Sequence, residues 1–132
     1  MSRSGNAVRR LGREDGAAAI EFAIVSVILF MILFGIFEFG RTYSQYEVLQ
    51  GAAREGARRA AVGASTSDVK QAVIDAAEPY TLTNQPAVDR SCTDDTVGDP
   101  VTVSWTQQFQ ISIPFLPPAN VTRTIKGVFR CE

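Results

Sequence analysis

The chain has 132 residues, is 45% hydrophobic and carries a formal net charge of -1. That leaves room for one membrane span and one modest domain, and no broad basic field for nucleic acid. It contains no histidine, which removes the commonest general base and the commonest metal ligand. There is also no cluster of metal ligands, no phosphate-binding loop and no Gly-x-Ser-x-Gly motif. The sequence therefore points away from an enzyme, from a cofactor and from a small-molecule substrate.

Residues 1–16 read MSRSGNAVRRLGREDG. This leader is basic through Arg3, Arg9, Arg10 and Arg13, polar and without apolar periodicity, and is expected to be disordered. From Ala17 to Phe37 the only charge is Glu21. About 20 apolar residues match the roughly 30 Å hydrocarbon core at helical rise, so residues 17–39 are predicted to form a transmembrane helix. No small-x-small cleavage site ends the run, as it would in a removed secretory signal. Four arginines precede the span, whereas Arg41 is the only basic residue between Phe39 and Gly51. The positive-inside rule places the N-terminus in the cytoplasm and the remainder outside the plasma (inner) membrane.

A carboxylate inside this run is costly unless it is neutralised, paired or able to reach the interface. Gly16 is followed by Ala17-Ala18-Ala19-Ile20 and then Glu21-Phe22. Cleavage after Gly16 would set a new amino group on Ala17 one helical turn from Glu21, where the two charges could neutralise each other. A basic leader, Gly, four residues, Glu, an aromatic residue and a long apolar helix together resemble the type IV prepilin signal. That resemblance implies cutting between Gly16 and Ala17 by a prepilin peptidase. It also implies that Glu21, with Phe22 beside it, registers the helix against other pilin helices. Phe22 stands where processed members commonly have Tyr, and acidic residues precede Gly16.

The helical pattern continues past the span. Phe39, Tyr43, Tyr46, Leu49 (or Gln50), Ala53, Ala57 and Ala60 recur at spacings of three and four, the signature of one buried face. No Pro interrupts Ala17–Val62, and Gly63 is a natural stop. Residues 40–63 are therefore read as the extracytoplasmic continuation of one helix on the order of 70 Å long. Glu55 is placed to pair with Arg59 or Arg58, for a few tenths of a kcal/mol each. Gly51, Ala52, Ala53, Gly56, Ala57, Ala60 and Ala61 would allow close approach of another element. The sequence GAAAIEFAIV, then FGIFEFGR, then LQGAAREGARRAAVG resembles the N-terminal region of TadE/TadG-like proteins of the tight-adherence (Tad/Flp) pilus system. Within it, Arg54, Glu55 and Arg58 form a candidate partner face or a plain solvated one.

Residues 64–132 are read as a small α+β ectodomain. Ser65 offers an N-cap, and Val69, Val73 and Ala76 or Ala77 give an amphipathic helix ending before Pro79. Residues 79–100 are loop-like, and their Asp94, Asp95 and Asp99 lack the ligand spacing of a known calcium loop. From Val101 the period changes to two, with Val101, Val103 and Trp105, then Phe109, Ile111 and Ile113 on one face. Pro114 to Pro118 break the pattern, and Val121–Cys131 reads as a further strand. Two cysteines outside the membrane, Cys92 and Cys131, suggest a disulfide, with two free thiols as the alternative.

The fold expected is membrane-anchored α+β and pilin-like: one long N-terminal transmembrane helix running into an ectodomain with a second short helix and a small antiparallel sheet. The function implied by the resemblance is that of a minor pilin or pseudopilin in Tad/Flp pilus assembly or initiation. Its partners would be the membrane, other pilins and the Tad assembly machinery. The alternative is an unprocessed single-pass protein displaying a small partner-binding domain.

Overall fold

A single 55-residue helix, α1 (Ala7–Ala61), forms the axis of the molecule. The computed structural model describes residues 7–132, with side chains from Gly16 onward. The leader departs from its expected disorder, because residues 7–15 are helical; the reading of residues 1–6 lies outside the described residues. Extending an existing helix adds one hydrogen bond per residue without the cost of nucleation, and Ala, Leu, Arg and Glu are good helix formers. At the other end, Gly63 at φ 78° takes the left-handed position that closes a helix. Its N–H donates to the Ala60 carbonyl at 3.1 Å and the Ala64 N–H to that of Arg59 at 3.2 Å, a complete Schellman stop.

Helix α2 (Thr66–Ala77) follows at once. Ser65 caps it, with its Oγ accepting from the Asp68 N–H at 3.2 Å. Val69, Ala72, Val73 and Ala77 are its buried face. The chain then crosses to a two-residue strand β1 (Ala87–Val88), which falls within the predicted loop. After a single 3-10 turn at Asp94–Thr96 it enters β2 (Pro100–Ile111) and, through a hairpin, β3 (Ala119–Arg130). The antiparallel sheet has the order β1-β2-β3, with Val103 opposite Gly127, Trp105 opposite Ile125 and Phe109 opposite Val121.

The core lies between the outer half of α1, helix α2 and one face of the sheet. Leu49, Ala53, Ala57 and Ala60 of α1 meet Val69 and Val73 of α2 and Val101, Val103, Trp105, Phe109 and Ile125 of the strands. The period of two puts Thr102, Ser104, Thr106, Gln108 and Gln110 on the opposite, wetter face. Gln107 falls on the apolar face and is buried. Its Oε1 accepts from the Thr83 N–H at 3.0 Å and the Trp105 Nε1–H at 3.2 Å, and its amide donates to the Thr81 carbonyl at 3.3 Å. Satisfied on both ends, it staples the segment after α2 to the sheet without the penalty of an unpaired buried amide.

Cys92 and Cys131 are joined, with Cα atoms 5.5 Å apart at a sequence separation of 39. Closing a loop of that length contributes about 4 kcal/mol on the chain-entropy model. Exchanging both cysteines for serine should therefore lower the unfolding free energy by roughly 2–4 kcal/mol. Denaturant melts followed by Trp105 fluorescence check this, and an unchanged midpoint would mean that the bridge is not stabilising.

Candidate assembly interface

From Ile20 to Phe37, thirteen large apolar side chains of α1 stand exposed, Phe22 at 73% and Phe37 at 69%. The most apolar 18-residue window has a mean hydropathy of 2.7, and among the described residues none of it is buried. Covering each such side chain is worth about 1.5–3 kcal/mol, hence roughly 20–40 kcal/mol for the whole surface. No small domain leaves that much in water. The helix is long and apolar enough to cross a membrane, and it fits a single-pass anchor.

Gly16, Ala17, Glu21 and Phe22 all lie within this helix and are exposed. Ala17 and Glu21 are four residues apart on a continuous helix, so they share a face. Among the described residues nothing approaches within 4 Å of where a Cβ on Gly16 would sit.

The junction with the domain is built around Glu38, whose part the sequence reading missed. It is only 8% exposed. Its carboxylate accepts from Arg41 Nη2 at 2.9 Å and Nε at 3.2 Å, a two-pronged pair within one turn. The Ser112 N–H, just beyond β2, donates to the same carboxylate at 3.1 Å. Glu38 thus ties the far end of the sheet to the helix 74 residues earlier in the chain. A carboxylate amid Phe37 and Phe39 with an Arg at i+3 was the available signal.

This corrects part of the predicted buried face. Leu49, Ala53, Ala57 and Ala60 are buried as expected, but Phe39 and Tyr43 are 71% and 56% exposed. At 100° per residue, Glu38 and Thr42 lie within about 20° of the Leu49 direction, whereas Phe39 and Tyr43 lie about 80° and 120° away. Leu49 rather than Gln50 is the buried member, and Gln50 turns to donate to Tyr46 Oη at 3.0 Å. Phe39 and Tyr43 stack at 6.3 Å. With Tyr46, Phe109, Ile111 and Val121 they line an open groove of about 440 Å³ at the base of the domain.

Arg54 and Arg58 are exposed and Glu55 is half-buried. Glu55 pairs with Arg59 at 3.0 Å. Of the loop aspartates, Asp99 accepts from Arg90 at 3.0 Å. Among the described residues no three acidic or cysteine side chains form a group suited to a metal.

Replacing Glu38 with alanine should release the end of the sheet. The Ser112 amide is expected to exchange with solvent faster, and Glu38→Gln, which keeps an acceptor, should show a smaller increase. Hydrogen exchange with mass spectrometry reads both, and unchanged protection in the alanine variant would remove Glu38 from that role.

The family model described as TadE-like protein matches residues 16–58. The chain carries a TadE-like region. Its limits run from the glycine before the apolar helix to Arg58 in the packed outer half of α1. The TadE-like region therefore holds Glu21, Glu38 and most of the small-residue face, while α2 and the sheet lie beyond it. No curated protein matches the chain, and no solved structure does.

Proposed function

We propose that this chain is a minor pilin or pseudopilin of a Tad/Flp-type pilus, acting in its assembly or initiation. The observation that carries the reading is the TadE-like match over residues 16–58, coincident with a helix whose apolar half is uncovered. The role is structural: α1 docks among other pilin helices while residues 64–132 face partners outside the cell. Residues 1–16 are a prepilin-type leader, residues 17–39 the span and residues 40–63 its extracytoplasmic continuation. Arg3, Arg9, Arg10 and Arg13 hold the N-terminus in the cytoplasm, where a prepilin peptidase cuts between Gly16 and Ala17. Arg54, Glu55 and Arg58 are available to the Tad assembly machinery.

Mass spectrometry of the protein from cells with an active prepilin peptidase tests this. The expected mature chain begins at Ala17. An intact leader would sink the processed-pilin reading and leave a bitopic protein displaying a small binding domain.

A further inference from the structure

The β2–β3 hairpin runs down α1 toward its apolar half. The Glu132 N–H donates to the Ala61 carbonyl at 3.0 Å, Gly127 faces Ala53, Phe109 meets Tyr46 at a ring distance of 6.3 Å, and Ser112 reaches Glu38. Helix residues 61 to 38 span about 35 Å and the 12 residues of β2 about 40 Å, so the strand keeps pace with the helix. The tip, Ile113–Pro118, therefore lies on the membrane side of Glu38, beside the uncovered apolar stretch.

Its chemistry suits that place. Phe115 is 92% exposed and Leu116 48%. No charged residue occurs between Asp99 and Arg123. Pro114, Pro117 and Pro118 have no N–H to leave unpaired, and the Leu116 N–H is already used on the Ile113 carbonyl at 3.1 Å. Phe115 holds φ 68°, a strained setting for an aromatic residue. Above the tip, Tyr43, Tyr46 and Arg123 supply aromatic and basic groups that favour a headgroup zone, with Arg41 there paired to Glu38.

We infer that the hairpin tip inserts Phe115 and Leu116 into the bilayer surface next to the span, giving the domain a second membrane contact. Lipid is favoured over a protein partner because the tip continues the lipid-facing surface of α1 at the same level. The inference rests on α1 spanning the membrane. The test uses the full oxidised chain in phosphatidylcholine–phosphatidylglycerol vesicles, with a nitroxide on Phe115→Cys, on Ile28→Cys in the span, or on Thr124→Cys on the outer sheet face. Depth is read from the ratio of oxygen to water-soluble nickel accessibility. The ratio at position 115 is expected to rise from the value at 124 toward that at 28. A membrane-like value at 28 with an aqueous value at 115 overturns the proposal while keeping the span, and leaves the tip to a protein neighbour. An aqueous value at 28 overturns the span and the proposal together. All three sites are exposed, so the substitutions do not disturb the core.

Discussion

Replacing Gly127 with alanine is expected to be among the most damaging single-methyl changes in the domain. A Cβ there would run into the Ala53 carbonyl and approach the Arg54 nitrogen. Both are backbone atoms inside a helix, so no rotamer change relieves the contact. The sheet must lift from α1, and the neighbours Ile125 and Val103 on the same face would lose their packing. Overpacking ordinarily costs about 1–3 kcal/mol, and a clash with fixed backbone belongs at the top of that range. A loss of about 3 kcal/mol lowers the melting midpoint by roughly 12–24 °C in a domain of 60–100 residues. Gly56→Ala meets the Val73 side chain instead, which can shift, so its effect should be smaller. Thermal melts of the full chain in detergent, followed through the buried Trp105, compare the two. A Gly127→Ala midpoint within a few degrees of wild type would show that the helix and sheet are not held at this separation.

The small residues along α1 made the close approach legible in the sequence, but not its partner. Ala53 and Gly56 are used against the sheet and α2, whereas a Cβ on Gly51 would meet nothing within 4 Å. Composition cannot say which alanine faces which strand, because that depends on where the hairpin register falls. The long helix, the Ser65 cap, the Gly63 stop and the alternating strand were readable because each is decided locally by period or backbone geometry. Glu38, Gln107 and β1 were not, since each is defined by a partner distant in the chain. Gln107 sits on the apolar face of β2, where a polar residue looks like a break; only the Thr81 and Thr83 backbone groups explain it. The exposed positions of Phe39 and Tyr43 have the same origin. Steps of three and four admit them one at a time, but their summed angle from Leu49 carries them off the buried stripe, and the Ser112 contact marks Glu38 as the member that takes their place.

Exchanging Glu21 for alanine should leave membrane insertion intact and abolish most assembly. Removing a carboxylate from an apolar helix lowers the cost of insertion, which is several kcal/mol for an unpaired charge at membrane depth. The membrane fraction should therefore match wild type or exceed it. Assembly is different. On the proposed processing the chain would begin at Ala17, its amino group and Glu21 would lie one turn apart, and a helix docking among others could satisfy one chain's carboxylate with its own or a neighbour's amine. Without Glu21 that amine is left buried and unpaired, a larger penalty than losing the pair itself. A deficit of only about 1.4 kcal/mol per docking event reduces occupancy tenfold. Glu21→Gln keeps the size and loses the charge, so it should fail in the same way. Glu21→Asp keeps the charge on a shorter arm and should retain part of the activity. Cell fractionation and filament counts read the two stages separately. Normal piliation in both Glu21→Ala and Glu21→Gln would reduce Glu21 to an interfacial residue and remove charge pairing from the mechanism.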